Sequence, residues 1–167
     1  MELWDAYDRA GNPTGAVLMR GELVPNGIYH LVCCMVIRHV DGDFLLMHRS
    51  PEKEVYPNIW EIGAGGSALQ GETPEACAAR EVAEETGLCG GKLFPMSRYV
   101  EDATQTIYQG FLYETSEPKD SVKLQPGETS DYRWLTKAEF LDFFASDACI
   151  ERFKIRLKTY VDNLRTE

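Results

Sequence analysis

The chain has 167 residues, 44% of them hydrophobic and 26% charged, which at roughly 100–200 residues per domain predicts a single domain spanning 1–167. Wholesale disorder is excluded, and no apolar run approaches the roughly 20 residues of a membrane span. Seventeen Lys and Arg against 27 Asp and Glu leave a net charge of −10, which disfavours a nucleic acid duplex or an anionic membrane as partner; a small phosphorylated ligand would need local charge compensation, most simply from a divalent cation.

The first residues, Met1-Glu2-Leu3-Trp4-Asp5, have neither a basic start nor an apolar stretch, so no secretory signal is expected. Five cysteines, at 33, 34, 77, 89 and 149, form no CxxC pair and read as reduced thiols of a cytoplasmic protein. Leu3–Tyr7 and Ala16–Met19 flank the turn-rich Gly11-Asn12-Pro13 and predict an N-terminal hairpin extension within residues 1–28. Leu31–Ile37 is an apolar run suited to a buried strand. Asp41-Gly42 turns the chain into a returning strand at Phe44–Met47. Trp60-Glu61-Ile62 leads into the flexible Gly63-Ala64-Gly65-Gly66.

Thr73-Pro74 opens a helix, with Thr as N-cap and Pro at the first helical position, and Gly87 stops it. Strands are expected at Tyr99-Val100, Thr106–Tyr113 and Asp131–Leu135. Thr136 and Glu139 form a capping box. Ile150, Phe153, Leu157, Tyr160 and Leu164 trace one apolar face of a terminal helix. Mixed strands and helices in this order predict a mixed sheet covered by helices.

The helix at 73–86 carries the chemistry. Glu81, Glu84 and Glu85 sit at i, i+3 and i+4 and share a face, with no Lys or Arg at i+4 to pair with them. Like charges so spaced cost roughly 0.2–0.5 kcal/mol per pair, and a hard cation held through oxygen would relieve them. An acidic solvated face is the plain alternative. The small residues Ala76, Ala79 and Ala83 are expected to pack the opposite face against the sheet. The glycines before the helix allow close backbone approach to a ligand.

The full spacing goes beyond an acidic run. Gly66 is followed by five residues and Glu72, then by seven residues and Arg80-Glu81-Val82-Ala83-Glu84-Glu85-Thr86-Gly87-Leu88. This 66–88 segment resembles the signature of the Nudix hydrolases at every fixed position. The resemblance implies an α/β/α sandwich on a mixed sheet, with the motif helix after a Gly-rich loop. It implies hydrolysis of a diphosphate linkage in a nucleoside diphosphate derivative or similar small molecule, with Mg²⁺ (or Mn²⁺). Glu84 and Glu85 resemble the metal ligands, and Glu81 a ligand or general base. Arg80 resembles the residue that orients the glutamates, with Glu72 supporting the loop through it; the carbonyl of Gly65 or Gly66 is a further candidate donor. Glu128 resembles a fourth carboxylate contributed by a later loop. Arg49 and Lys53 are candidates for binding substrate phosphate, and Tyr56, Trp60, Tyr108 and Trp134 for stacking on a base, although aromatics fill cores as readily. His30, His39 and His48 lack a metal-ligand spacing.

Trp4, His30, His48-Arg49-Ser50, Lys53 and Trp60 are similar to the branch that contains type I isopentenyl-diphosphate isomerases. There a cysteine and a histidine are expected where this chain has Gly65 and Ser67, and alkene isomerisation needs opposed acid and base groups. The complete set of carboxylates favours a hydrolase; isomerase and non-catalytic binding module are the alternatives. Substrate choice is expected in loops 51–59, 101–106 and 116–130. A homodimer is compatible with the sequence, with the N-terminal hairpin as a candidate interface.

Overall fold

The computed structural model describes residues 1–167. Its elements follow the chain as β1 (Leu3–Tyr7), β2 (Pro13–Met19), β3 (His30–His39), β4 (Phe44–Arg49), β5 (Trp60–Ile62), β6 (Ala64–Ser67), α1 (Pro74–Thr86), β7 (Lys92–Glu101), β8 (Thr106–Thr115), a 3₁₀ turn at Lys119–Ser121, β9 (Thr129–Leu135), α2 (Lys137–Ala145) and α3 (Glu151–Thr166). No helix is long and apolar enough to cross a membrane.

The expected buried strand is β3, and it organises the sheet. One edge pairs with β8 in parallel over ten positions, from His30↔Thr106 to His39↔Thr115. The other edge pairs with β6 antiparallel, from Val32↔Ser67 to Met35↔Ala64. A strand covered on both faces reads as a continuous apolar run, which is why its sequence stood out. β7 closes one side against β8. Beyond the Asp41-Gly42 turn, β4 pairs with both β5 and β9. The β3–β4 pairing is confined to Arg38↔Phe44, so the sheet splays into two arms.

Gly63 sits at the splay. The chain leaves β4's partner β5 and becomes β3's partner β6 across this one residue, at φ +63°. A Cβ there would lie 1.8 Å from the Met35 carbonyl oxygen.

Helices cover both faces, giving the expected α/β/α layers. α1 packs Cys77, Ala78 and Val82 on Leu31, Cys33, Met35, Ile107 and Phe111. On the other side α2 and α3 pack Phe140, Phe144, Phe153, Leu157 and Val161 on Val36, Phe44, Leu46 and Ile62. Thr136 and Glu139 form the expected capping box. β1 and β2 form the N-terminal hairpin around Trp4, Ala6 and Leu18.

Two expectations need correction. β7 begins at Lys92 rather than Tyr99: it is an edge strand whose register shifts between Pro95 and Ser97, so its sequence lacks clean alternation. The alanine face of α1 points outward, with Ala76 and Ala79 exposed. The buried stripe is Cys77, Ala78, Val82 and Thr86, because the larger apolar side chains gain more from burial than alanine methyls do. This rotation brings Glu81 down beside the sheet.

Replacing Gly63 by Ala is expected to cost at least about 2 kcal/mol. The check is a denaturant midpoint that falls while the slope stays that of the parent chain.

Candidate active site

Arg80 is the hub of the site. Its Nε and Nη2 donate to the two oxygens of Glu72 at 2.7 and 2.9 Å. Nη1 donates to Glu81 at 2.7 Å and to Glu84 at 3.1 Å, and Nη2 also donates to the Ser67 carbonyl at 3.0 Å. The planar fork matches two carboxylate oxygens at once. Glu72 in turn accepts the Leu69 N–H at 2.9 Å, so the loop between β6 and α1 is tied to the middle of the helix. The Arg80 guanidinium, with help from Leu69 N–H, holds the Glu72 carboxyl below its ordinary range.

Glu81 and Glu85 face the other way electrostatically. Burial pushes the Glu81 carboxyl up against the pull of Arg80. Burial, joined by Glu61, Glu81 and Glu128, pushes Glu85 up to about 8, although the Gly65 N–H donates to it at 3.2 Å. Gly66 is the reason Glu81 fits: a Cβ at that position would meet the Glu81 carboxylate at 2.1 Å. The Gly66 carbonyl accepts the Cys77 thiol at 3.7 Å, and Thr73 caps α1 through the Ala76 N–H at 3.2 Å.

A polar cavity of about 340 Å³ opens over these groups, lined by Glu81, Glu84, Glu85, Gly65, Gly66, Arg80, Arg49, Lys53 and Glu128, with Glu2, Arg20 and Gln125 at its rim. The structure thus brings the predicted acidic, basic and glycine residues of the site, Glu72 excepted, to one cavity, and joins Glu72 to it through Arg80. Lys53 pairs with Glu128, placing both on one wall. Arg49 is more committed than its sequence suggests: it donates to the Val55 and Tyr56 carbonyls at 2.9 and 3.1 Å and to Glu61 at 3.1 Å. It therefore braces the loop at 51–59.

Glu61 was missed by sequence reasoning. It lies on β5 with a side chain only 13% exposed and adds negative charge beside Glu85. The signal was present as one charged residue between Trp60 and Ile62, two positions before the glycines. Of the aromatic candidates, Tyr108 lines a second cavity, which shares Arg49 and Gly65 with the first, and Tyr56 lies under Arg152. Trp60 and Trp134 line neither cavity. Trp134 donates to the Lys119 carbonyl and Trp60 packs edge-on to His48. His30 stacks on Trp4 at 4.6 Å, and His39 pairs with Asp41 at 2.9 Å.

The donor set is all oxygen, negatively charged and crowded, around a loop whose glycines admit a carboxylate where a Cβ would stand. That chemistry suits a hard divalent cation such as Mg²⁺ or Mn²⁺. The carboxylates do not converge into a closed coordination group in this arrangement, since Arg80 holds Glu81 and Glu84. Positive charge entering here would meet little competition from bound cationic side chains at Glu85.

Residues 28–153 match the NUDIX domain family. An uncharacterized Nudix hydrolase of Listeria monocytogenes is 35% identical over 142 residues, covering 83% of this chain and 82% of its own. An isopentenyl-diphosphate Delta-isomerase of Corynebacterium diphtheriae is 29% identical over 102 residues, covering 61% of this chain and 56% of its own. A Deinococcus radiodurans protein of known crystal structure superposes with a TM-score of 0.73 at 19% identity, covering 99% and 98% of the two chains.

The raised Glu85 carboxyl has a stability consequence. With the folded-state value near 8 and the ordinary value at 4.5, the folded chain holds the extra proton in between. Stability of the chain stripped of divalent cations therefore falls as pH rises through that window. Glu85→Gln is expected to melt at least about 2–4 °C above the parent just above pH 8, the shift that about 1 kcal/mol produces at this size. The gap closes below pH 4.5. Equal melting temperatures at both ends, in thermal scans with chelator present, would contradict the assignment.

Proposed function

This chain belongs to the Nudix family, and from that premise we propose that it is a divalent-metal-dependent hydrolase cleaving the diphosphate linkage of a nucleoside diphosphate derivative or a similar small molecule. The observation that carries the reading is a single polar cavity lined by Glu81, Glu84 and Glu85 beside Gly65 and Gly66, with Arg80 hydrogen-bonded to Glu81 and Glu84 and the Gly65 N–H to Glu85.

In this reading Glu84 and Glu85 would hold Mg²⁺ (or Mn²⁺), with the Gly65 carbonyl and Glu128 as further oxygen donors and Glu81 as either a ligand or the general base. The metal so held would supply charge to offset the phosphoryl oxygens and would make the attacking water more acidic. As general base, Glu81 has one oxygen on Arg80 and the other to take a proton from the attacking water. Arg80 and Glu72 are positioning residues: their paired hydrogen bonds set where the helix carboxylates stand relative to the loop. Lys53 and Arg49 face the substrate's phosphates across the cavity, and Gly66 lets those phosphates approach the backbone. The free cysteines support a reducing, cytoplasmic location. The family match starts at residue 28, which supports reading 1–28 as an extension and the remainder as the catalytic unit.

The isomerase-named relative motivates a second reading. The cysteine expected of that branch has no room at this position: a Cβ on Gly65 would lie 2.8 Å from the Cys33 carbonyl oxygen, so the loop would have to move. The chain instead retains all the motif carboxylates.

The deciding experiment is a mass-spectrometric product screen over nucleoside diphosphates, nucleotide-linked compounds and isopentenyl diphosphate, with and without Mg²⁺. Cleavage of a diphosphate linkage is expected only with the metal. Glu84→Gln keeps the shape and removes a charge; it is expected to lower kcat/KM at least about a hundredfold, since the metal is worth several kcal/mol to the transition state. Full activity in a folded Glu84→Gln protein would remove the proposed site. Chromatographic conversion of isopentenyl diphosphate to its isomer would establish the isomerase instead. Tight binding of a diphosphate without turnover would establish a binding module.

A further inference from the structure

The second cavity, about 260 Å³ in volume, has a charge pattern opposite to the chain's own. Three guanidiniums, of Arg49, Arg152 and Arg156, face it against one carboxylate, Glu61. Arg152 and Arg156 lie four residues apart on α3 and so share a face. They differ from the other arginines of the site in what they lack. Arg80 and Arg49 are held by hydrogen bonds near 3 Å or shorter. Arg156, with its side chain 11% exposed, has its nearest carboxylate oxygen, on Glu101, at 3.7 Å. Arg152 has its nearest, on Glu61, at 3.8 Å, and its buried Nε has no hydrogen-bond partner.

A buried donor left without an acceptor is costly, and a guanidinium carries five N–H groups in a rigid fork. Both guanidiniums stack on aromatic rings. Arg156 lies 3.3 Å from the Tyr108 ring centre and Arg152 4.6 Å from that of Tyr56. Each ring therefore holds its guanidinium in place while leaving the N–H edge free. The same stacking covers one face of each ring. The cavity's charge and the unpaired Arg152 Nε–H thus favour an oxyanion over a flat aromatic group. Its volume lies just below the roughly 300–1,000 Å³ of pockets for drug-sized ligands, which suits a compact group. Because Gly65 and Arg49 belong to both cavities, a ligand spanning the shared wall would place one end on the carboxylates and the other on α3.

We propose that Arg152 and Arg156 form an oxyanion subsite for the distal arm of the substrate, so that the group joined to the diphosphate is compact and itself carries a phosphate or carboxylate. The existence of the subsite stands on the cavity alone; its role as the seat of a substrate arm rests on the hydrolase reading.

The test is an NMR titration of the full ¹⁵N-labelled chain, free of divalent cations, with inorganic phosphate as probe, following the arginine Nε–Hε signals. The Arg152 and Arg156 signals are expected to shift and saturate together. Arg152→Gln, at a position 31% exposed and off the apolar face of α3, is expected to fold and to weaken phosphate binding roughly tenfold, the weight of one charge-assisted hydrogen bond. Arg156→Gln should do the same, with its fold checked by melting because it stacks on Tyr108. Signals of Arg152 and Arg156 that stay still, or that drift linearly without saturation, would overturn the subsite. The substrate role is read separately. Phosphate should compete with whichever diphosphate the product screen finds, and Arg152→Gln should weaken that inhibition by the same factor. Inhibition unchanged in the variant overturns the substrate role and leaves the hydrolase reading intact. Saturable phosphate binding in a chain that cleaves no diphosphate overturns the hydrolase reading and, with it, the substrate role.

Discussion

A single cation, the Arg80 guanidinium, holds the site in its present shape. The chain places four carboxylates, Glu72, Glu81, Glu84 and Glu85, within fourteen positions of one another, and three of them accept hydrogen bonds from Arg80. The fourth, Glu85, is left to burial and to its neighbours. The arrangement is therefore asymmetric: charge is satisfied on the loop side of α1 and unsatisfied where the helix meets the splayed sheet. A site that must accept positive charge needs such an imbalance, since fully paired carboxylates would have no affinity to spare. The Ser67 carbonyl on the same guanidinium makes the loop and the helix parts of one object.

The sheet decides where this imbalance meets a ligand. β3 holds β6 on one edge, and the divergence of β4 from β3 opens space on either side of Gly65. One opening faces the carboxylates of α1, the other the arginines of α3. The two cavities thus differ in sign while sharing a wall. The N-terminal hairpin supports the back of the loop: Leu3 accepts the Gln70 N–H at 2.8 Å and Asp5 the Gly71 N–H at 2.7 Å.

Much of this was legible from residue order, for reasons that can be named. β3 showed as an apolar run because both its faces are covered. α1 announced both its ends through Thr73-Pro74 and Gly87. The motif residues 66–88 are close along the chain, so their spacing carried their three-dimensional proximity. What stayed hidden depends on tertiary contact. The inward rotation of α1, which exposes Ala76 and Ala79, follows from packing on β3 and β8, not from residue size alone. Glu61 reaches Glu85 from a separate strand, β5. The role of Arg49 as a brace depends on carbonyls at 55 and 56 turning toward it, and the loop does this with Tyr56 and Asn58 at positive φ. Arg152 and Arg156 read only as the polar side of a terminal amphipathic helix until the fold brought them to a cavity.

The change of partner at Gly63 bears on how such a molecule diverges. Residues 61–66 form an inextensible span: Glu61 is placed by pairing to β4, Gly65 and Gly66 by pairing to β3, and one glycine joins them with no slack. Insertion or deletion of one residue there would invert the facing of every side chain on one arm relative to the other. The segment at 51–59 has no such restriction, being anchored at its ends and by Arg49. Descendants of this chain can therefore reshape the wall that Lys53 and Val55 lend to the cavities by lengthening or shortening that segment, while the gap between the two cavities is inherited unchanged, like the fixed jaw of a caliper.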